Sequence, residues 1–238
     1  MSAWGGDGAP LHAATAQWLE HKAGALECQS GTYDTARSPP SPTAPRENSA
    51  AVAFPRPFAA QPVVVCWLSR LDLPTVPTSS GSGSGGSAGG SAGGSAPAPH
   101  HRIRCYATAV GPRGFTAHID TWGASALAGA ALTWIAFPAA KAGVASGGFA
   151  TSDVRTYLNP APRNSAAVAF GGRGARRFRR PPVVLVALDM LDLAADRAFR
   201  VAVDVDQVDE DGFTWHLDTW GDSVLYAAGA SWIAIGAV

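Results

Sequence analysis

The sequence predicts an all-β protein built from two tandem antiparallel β-sandwiches, and three observations carry that prediction. The heptapeptide NSAAVAF at 48–54 returns identically at 164–170, and other segments recur around it in the same order. The recurring segments are short, rich in Val, Ile, Phe and Trp, and bounded by Gly, Pro or Asp, as strands and turns are. Inside neither copy does a sustained helical period of apolar residues appear.

Taken in chain order, SGTY (30–33) matches SGGF (146–149), and PVVVCWLSRLDL (62–73) matches PVVLVALDMLDL (182–193). RIRCYATAVGPRGF (102–115) then matches RVAVDVDQVDEDGF (200–213), and ALTWIAF (131–137) matches GASWIAI (229–235). The offset between copies is 116 up to Phe54, 120 from Pro62 to Leu73, and 98 from Arg102 onward. Two insertions explain the jumps: extra residues in GGRGARRF (171–178) of the second copy, and a longer tract between Leu73 and Arg102 in the first. The latter is built on GSGSGGSAGGSAGGSA, which has no side chains with which to build a core and reads as a flexible insertion, 74–101, within the first domain. The organisation expected is an N-terminal extension 1–25, a first domain 26–138, a linker 139–145 and a second domain 146–238. Residues 10–24 are compatible with a short helix.

Composition narrows the function classes. The chain has 238 residues, 47% of them hydrophobic, with 18 Lys+Arg against 18 Asp+Glu. A net charge of zero gives no general field toward nucleic acid or membrane. No stretch reads as a spanning helix, and MSAWGGDGAPLHAA lacks the basic end and apolar run of a secretory signal, so export is unsupported. Three cysteines are too few for a disulfide framework and fit no zinc spacing; no metal or cofactor is expected. Cys28, Cys66 and Cys105 align with Val144, Val186 and Val203, so they are expected as apolar packing residues.

The most informative stretch is HIDTWG (118–123), repeated as HLDTWG (216–221). Side chains alternate along a strand, so Phe115, Ala117, Ile119 and Thr121 face the core, as do Phe213, Trp215, Leu217 and Thr219. His118, Asp120 and Trp122 then face outward, with His216, Asp218 and Trp220 in the second copy. The preceding strand pairs with this one as a hairpin. A five-residue loop is the most economical and sets Arg102 opposite Trp122, and Arg200 opposite Trp220. An outward guanidinium beside an outward indole is either a surface cation–π contact or a ligand site. For a neutral polyol, the indole offers a flat apolar face and the guanidinium offers fixed donors. Asp120 and Asp218 are placed to orient the arginine or accept a hydroxyl. Trp134 and Trp232, in apolar runs, are expected in the core.

These residues form an ordered set found twice: F-x₃-F-x₃-P-V, LDL, an Arg thirteen residues before the Phe of Gly-Phe, Thr-Trp with the Trp seven after that Phe, and a further Trp twelve later. The set resembles the H-type lectin domain of snail agglutinins and discoidin-type lectins, once the two insertions are removed. That resemblance implies a six-stranded antiparallel β-sandwich which usually trimerises and binds galactose or N-acetylgalactosamine near protomer boundaries, often outside the cell. It places the sugar-binding Arg at Arg102 and Arg200, and the aromatic at Trp122 and Trp220. Family members often carry a His after that Trp, whereas this chain has Gly123 and Gly221. A sugar-binding Asp in an earlier loop has Thr43 and Asn159 as counterparts.

A multivalent, non-enzymatic glycan binder with a role in adhesion or glycan recognition is therefore expected, with a trimer of tandem domains as the implied assembly. No nucleophile, base and acid recur at matched positions, which argues against catalysis. The arginine run RGARRFRR (173–180) can attract phosphate, but it occurs in one copy of a neutral chain. The alternative kept open is a sugar-inactive β-sandwich serving assembly or protein interaction.

Overall fold

The computed structural model describes residues 12–22, 25–35, 46–73, 100–171 and 178–238. Twelve strands follow in order: β1 (Gln29–Asp34), β2 (Glu47–Ala53), β3 (Pro62–Asp72), β4 (His100–Gly111), β5 (Gly114–Asp120), β6 (Gly129–Pro138), β7 (Val144–Ala150), β8 (Ser165–Ala169), β9 (Val183–Ala194), β10 (Ala202–Asp206), β11 (Gly212–Asp218) and β12 (Leu225–Ile235). No α-helix occurs among the described residues; 12–22, where a short helix was compatible with the sequence, takes no regular structure. The Gly/Ser insertion, Thr43 and the start of the arginine run lie outside the described residues.

Each half of the chain places three strands in each of two layers. In the first half β1-β6-β3 faces β2-β5-β4; in the second, β7-β12-β9 faces β8-β11-β10. Several aromatic contacts between the layers recur in both halves. Phe54 and Phe58 meet edge-on at 5.0 Å and 88°, and Phe170 and Phe178 at 5.1 Å and 87°. Phe115 meets Trp134 at 5.3 Å, as Phe213 meets Trp232. Both tryptophans are buried, as their apolar context requires. The paired glycines Gly31 and Gly147 make room for them: a Cβ at either would stand 2.7 or 2.9 Å from the indole Cζ2. Cys66 and Cys105 are buried, Cys28 is half-buried, and all three are free thiols.

The halves are joined by more than the short turn at 139–143. β4 pairs on one side with β5 and on the other with β9, so one six-stranded sheet, β2-β5-β4-β9-β12-β7, runs through both. Val65, Ile135 and Phe137 pack on Ile233 behind this junction, and Trp67 Nε1 donates to Ser231 O at 2.8 Å. A cavity of about 310 Å³ remains between the halves. Asp189 reaches its wall, where it accepts a hydrogen bond from the Ser231 hydroxyl at 2.5 Å.

Candidate functional site

The hairpin register agrees with expectation, while its loop does not. Arg104 pairs with Asp120 and Tyr106 with His118, the series in which Arg102 and Trp122 come next. In the second half Ala202 pairs with Asp218, which leads to Arg200 and Trp220. The loop of the first hairpin is shorter than five residues: Gly111 pairs with Gly114, and a bulge after Thr108 absorbs the difference. Ala109 takes φ 49° there and its counterpart Gln207 takes φ 50°, so both hairpins bend at the same point.

Beyond the ladder a tight turn wraps the arginine. Ser125 N approaches Trp122 O at 3.4 Å, and Ser223 N approaches Trp220 O at 3.4 Å. Gly123 and Gly221 both take φ +66°, a conformation that favours glycine. The guanidinium lies against them: a Cβ on Gly123 would collide with Arg102 Nη1, and one on Gly221 would stand 2.8 Å from Arg200 Nη1. The serine that ends each turn fastens it to the arginine strand. Ser125 Oγ donates to His100 O at 2.7 Å and accepts from Arg102 N at 3.1 Å. Ser223 Oγ donates to Ala198 O in the same manner.

Arg102 turns its guanidinium across the junction of the halves. Its Nε donates to Asp192 Oδ2 at 3.0 Å, and His100 Nδ1 lies 2.6 Å from Asp192 Oδ1. Arg102 Nη2 stands 3.2 Å from that same imidazole nitrogen. The His100 ring rests on Tyr226 of β12 at 4.4 Å. Asp192 is buried, so its charge depends on these partners. Of the two readings of the Arg102–Trp122 pair, the cation–π contact does not occur among the described residues, and Arg102 makes an ion pair with Asp192 instead. The guanidinium that does cover a ring here is Arg104, 4.8 Å from the Tyr106 centroid. Trp122 is half-buried, while Trp220 is 51% exposed.

Arg200 differs. Its Nη1 donates to Asp222, and approaches Ser223 Oγ at 3.5 Å. This arginine holds the Asp222 carboxyl below the usual range. β10 is the last strand of its sheet, and no described strand pairs with its outer edge.

The remaining candidates play other parts. Asp120 is buried rather than solvated: it accepts from Tyr106 Oη at 2.7 Å and from Arg104 Nη2 at 3.5 Å, and so does not orient Arg102. Asp218 accepts from Asn164 N at 3.0 Å and braces the start of β8. Asn159 is exposed in the loop before β8, where its N–H donates to Thr156 O and its side chain meets neither arginine. His118 bonds Thr108 Oγ1 at 2.7 Å and stacks on Tyr106; His216 pairs with Asp206 at 3.1 Å. No group of three or more His, Cys, Asp or Glu suited to a metal occurs among the described residues. No described helix is long and apolar enough to cross a membrane.

Asp192, His100 and Tyr226 were missed in the sequence. The signal was present for one of them: an aspartate sits between two leucines at both 72 and 192.

Comparison with known proteins places this geometry in context. Residues 95–137 and 175–235 match the model of the H-type lectin domain. A protein of Fuscovulum blasticum described as ATP synthase subunits region ORF 7 is 34% identical over 61 residues, 26% of this chain. The alignment spans 53% of that protein's length. Among solved structures, recombinant discoidin II of Dictyostelium discoideum aligns with a TM-score of 0.33 and 16% identity, covering 53% of this chain and 50% of the other.

Proposed function

We propose that this chain is a lectin of the H type that binds glycans without catalysing a reaction, with Arg102, Asp192, His100 and Trp122 in one site and Arg200 and Trp220 in a second. The observation that supports this most is the cluster at the junction of the halves. Arg102 is anchored to Asp192 through Nε, and among the described residues its Nη1, over Gly123, has no protein acceptor. A guanidinium held in this way donates to a hydroxyl at little further entropic cost. The indole of Trp122, at the end of the same ladder, supplies the apolar surface. Galactose-type sugars suit the pair, since an axial 4-hydroxyl leaves one ring face rich in C–H. N-acetylgalactosamine adds an acetamido group to the same surface. Two sites per chain raise weak individual affinities through multivalency, which fits a role in adhesion or glycan recognition.

A glycan array on the intact chain tests this reading. Wild type is expected to bind galactose-type glycans, and the Trp122→Ala/Trp220→Ala double variant to lose that signal. Binding unchanged in the double variant overturns the site assignment. One observation favours a second reading: Arg102 and Asp192 belong to different halves, so the pair also ties the halves together. A folded wild type that is silent on the array selects an assembly module instead.

A further inference from the structure

We propose that the cavity between the halves is a binding site of its own, for a small primary ammonium carried on an aryl or alkyl body, with Asp189 as the counter-ion. It is separate from the arginine clusters and stands whether or not these bind glycans. The cavity, about 310 Å³, is lined by β3 and β4 of the first half and by β7, β9 and β12 of the second. Val63, Val65, Ala107 and Val110 give it apolar walls. Tyr106 and Ser146 at its border are only half-buried, so a small molecule can reach it from solvent. Largely apolar spaces with a few polar groups, set between packed units, are where small ligands bind.

The fold does not require the acid. Asp189 corresponds to Ser69, and each occupies a bulge in which no residue of the neighbouring strand opposes it. A bulge re-aims the side chain that it carries. In the first half that side chain is the exposed hydroxyl of Ser69; in the second it is a carboxyl on the cavity wall. A second difference accompanies the acid. Beside the bulge the first half has Ala131 and the second has Gly229, where a Cβ would stand 2.8 Å from Asp189 Oδ1. The glycine makes room for the carboxyl. Cys66 and Cys105 also line the cavity, at positions held by Val186 and Val203 in the other copy.

What the carboxyl lacks is a cation. Its Oδ2 accepts from the Ser231 hydroxyl at 2.5 Å, and no ion pair reaches it among the described residues. No lysine, arginine or histidine stands among the described lining residues. An ammonium entering here supplies the missing charge and three donors, while its body covers the apolar walls. Size sets the body: an apolar cavity of about 150 Å³ already takes benzene, so this larger one has room for a ring on a short chain. Burial pushes the Asp189 carboxyl up to about 6. The other ionisable groups of the lining stay neutral around that pH. Burial pushes the Cys66 thiol up to about 12 and the Cys105 thiol well above its ordinary value, and the Tyr106 phenol, bonded to Asp120, is raised as well.

Isothermal titration calorimetry of the full chain with phenethylammonium provides the test. At about pH 7.5 wild type is expected to bind it at least about tenfold more tightly than the neutral 2-phenylethanol, and to reject phenylacetate. At about pH 5 most of the carboxyl is protonated, and the ammonium is expected to bind about tenfold more weakly while the alcohol is unchanged. Asp189→Asn keeps the shape of the side chain, and Ser69 shows that the bulge accepts a neutral residue. In this variant the ammonium is expected to fall to the level of the alcohol. Ala107→Leu fills the cavity and is expected to lose both ligands. A wild type that binds no ammonium overturns the proposal, as does one that binds ammonium and alcohol equally. So does a folded Asp189→Asn that keeps the preference, or ammonium binding that survives in folded Ala107→Leu. Silence on the glycan array bears on the arginine sites alone, so the two readings fail separately.

Discussion

At the residue scale, the ion pair at the junction dominates. Asp192 is buried and its side chain contacts Arg102 and His100. Arg102→Ala would strand a carboxylate in a desolvated position, a loss of about 3 kcal/mol, toward the low end for broken buried pairs because Arg102 is partly exposed. Urea unfolding of the variant, compared with Arg102→Ala/Asp192→Asn, checks this: the double variant is expected to recover part of the loss. Gly123→Ala is expected to cost at least about 1–2 kcal/mol, since an alanine resists the left-handed backbone and its Cβ meets the guanidinium. Asp189 makes a different prediction. Burial pushes its carboxyl up to about 6 from an ordinary 3.8, so the folded protein holds this proton more tightly than the unfolded chain does. Its contribution is most favourable below pH 3.8 and declines as the pH rises through 6, by an amount on the order of 3 kcal/mol. Asp189→Asn is expected to flatten that decline in unfolding free energy measured across the same window.

At the scale of the element, the aromatic box explains the phenylalanine spacing. Phe58 and Phe178 stand edge-on to Phe54 and Phe170 at nearly equal distances, although four extra residues precede Phe178. Phe58→Ala and Phe178→Ala are therefore expected to destabilise by similar amounts, about 3–5 kcal/mol each, in calorimetric unfolding. Strand faces were legible because one rule suffices: Phe115, Ala117 and Ile119 are buried, and so are Phe213, Trp215 and Leu217. Alternation restricted the hairpin register to like-facing pairs, and the assumption of a five-residue loop chose among them. The ladder keeps that register although the first loop is shorter, because a bulge at Ala109 shortens the loop without shifting the ladder. Asp120 was misread for a related reason. Alternation says which face a side chain leaves from, but Tyr106 and Arg104 cover that face.

At the scale of the whole molecule, the shared sheet makes the halves interdependent. Val65, Ile135 and Phe137 of the first half form one buried cluster with Ile233 of the second, and β4 hydrogen-bonds to strands of both. A single cooperative thermal transition is expected for the intact chain. Residues 139–238 alone would expose Ile233, Val144 and the open side of β9, and are expected to aggregate or to melt well below the full chain. Two separated calorimetric transitions would contradict this coupling.

The sequence by itself determined that each copy is built of strands, which side of the HIDTWG and HLDTWG strands faces the core, and that two copies of one pattern are present. These are local properties, set by side-chain alternation and turn chemistry and readable within about ten residues. Only the tertiary structure decided that Arg102 meets Asp192, ninety residues away, instead of the indole beside it. A contact of that kind depends on how two sheets abut. No periodicity within either copy records which edge of one half will meet which edge of the other.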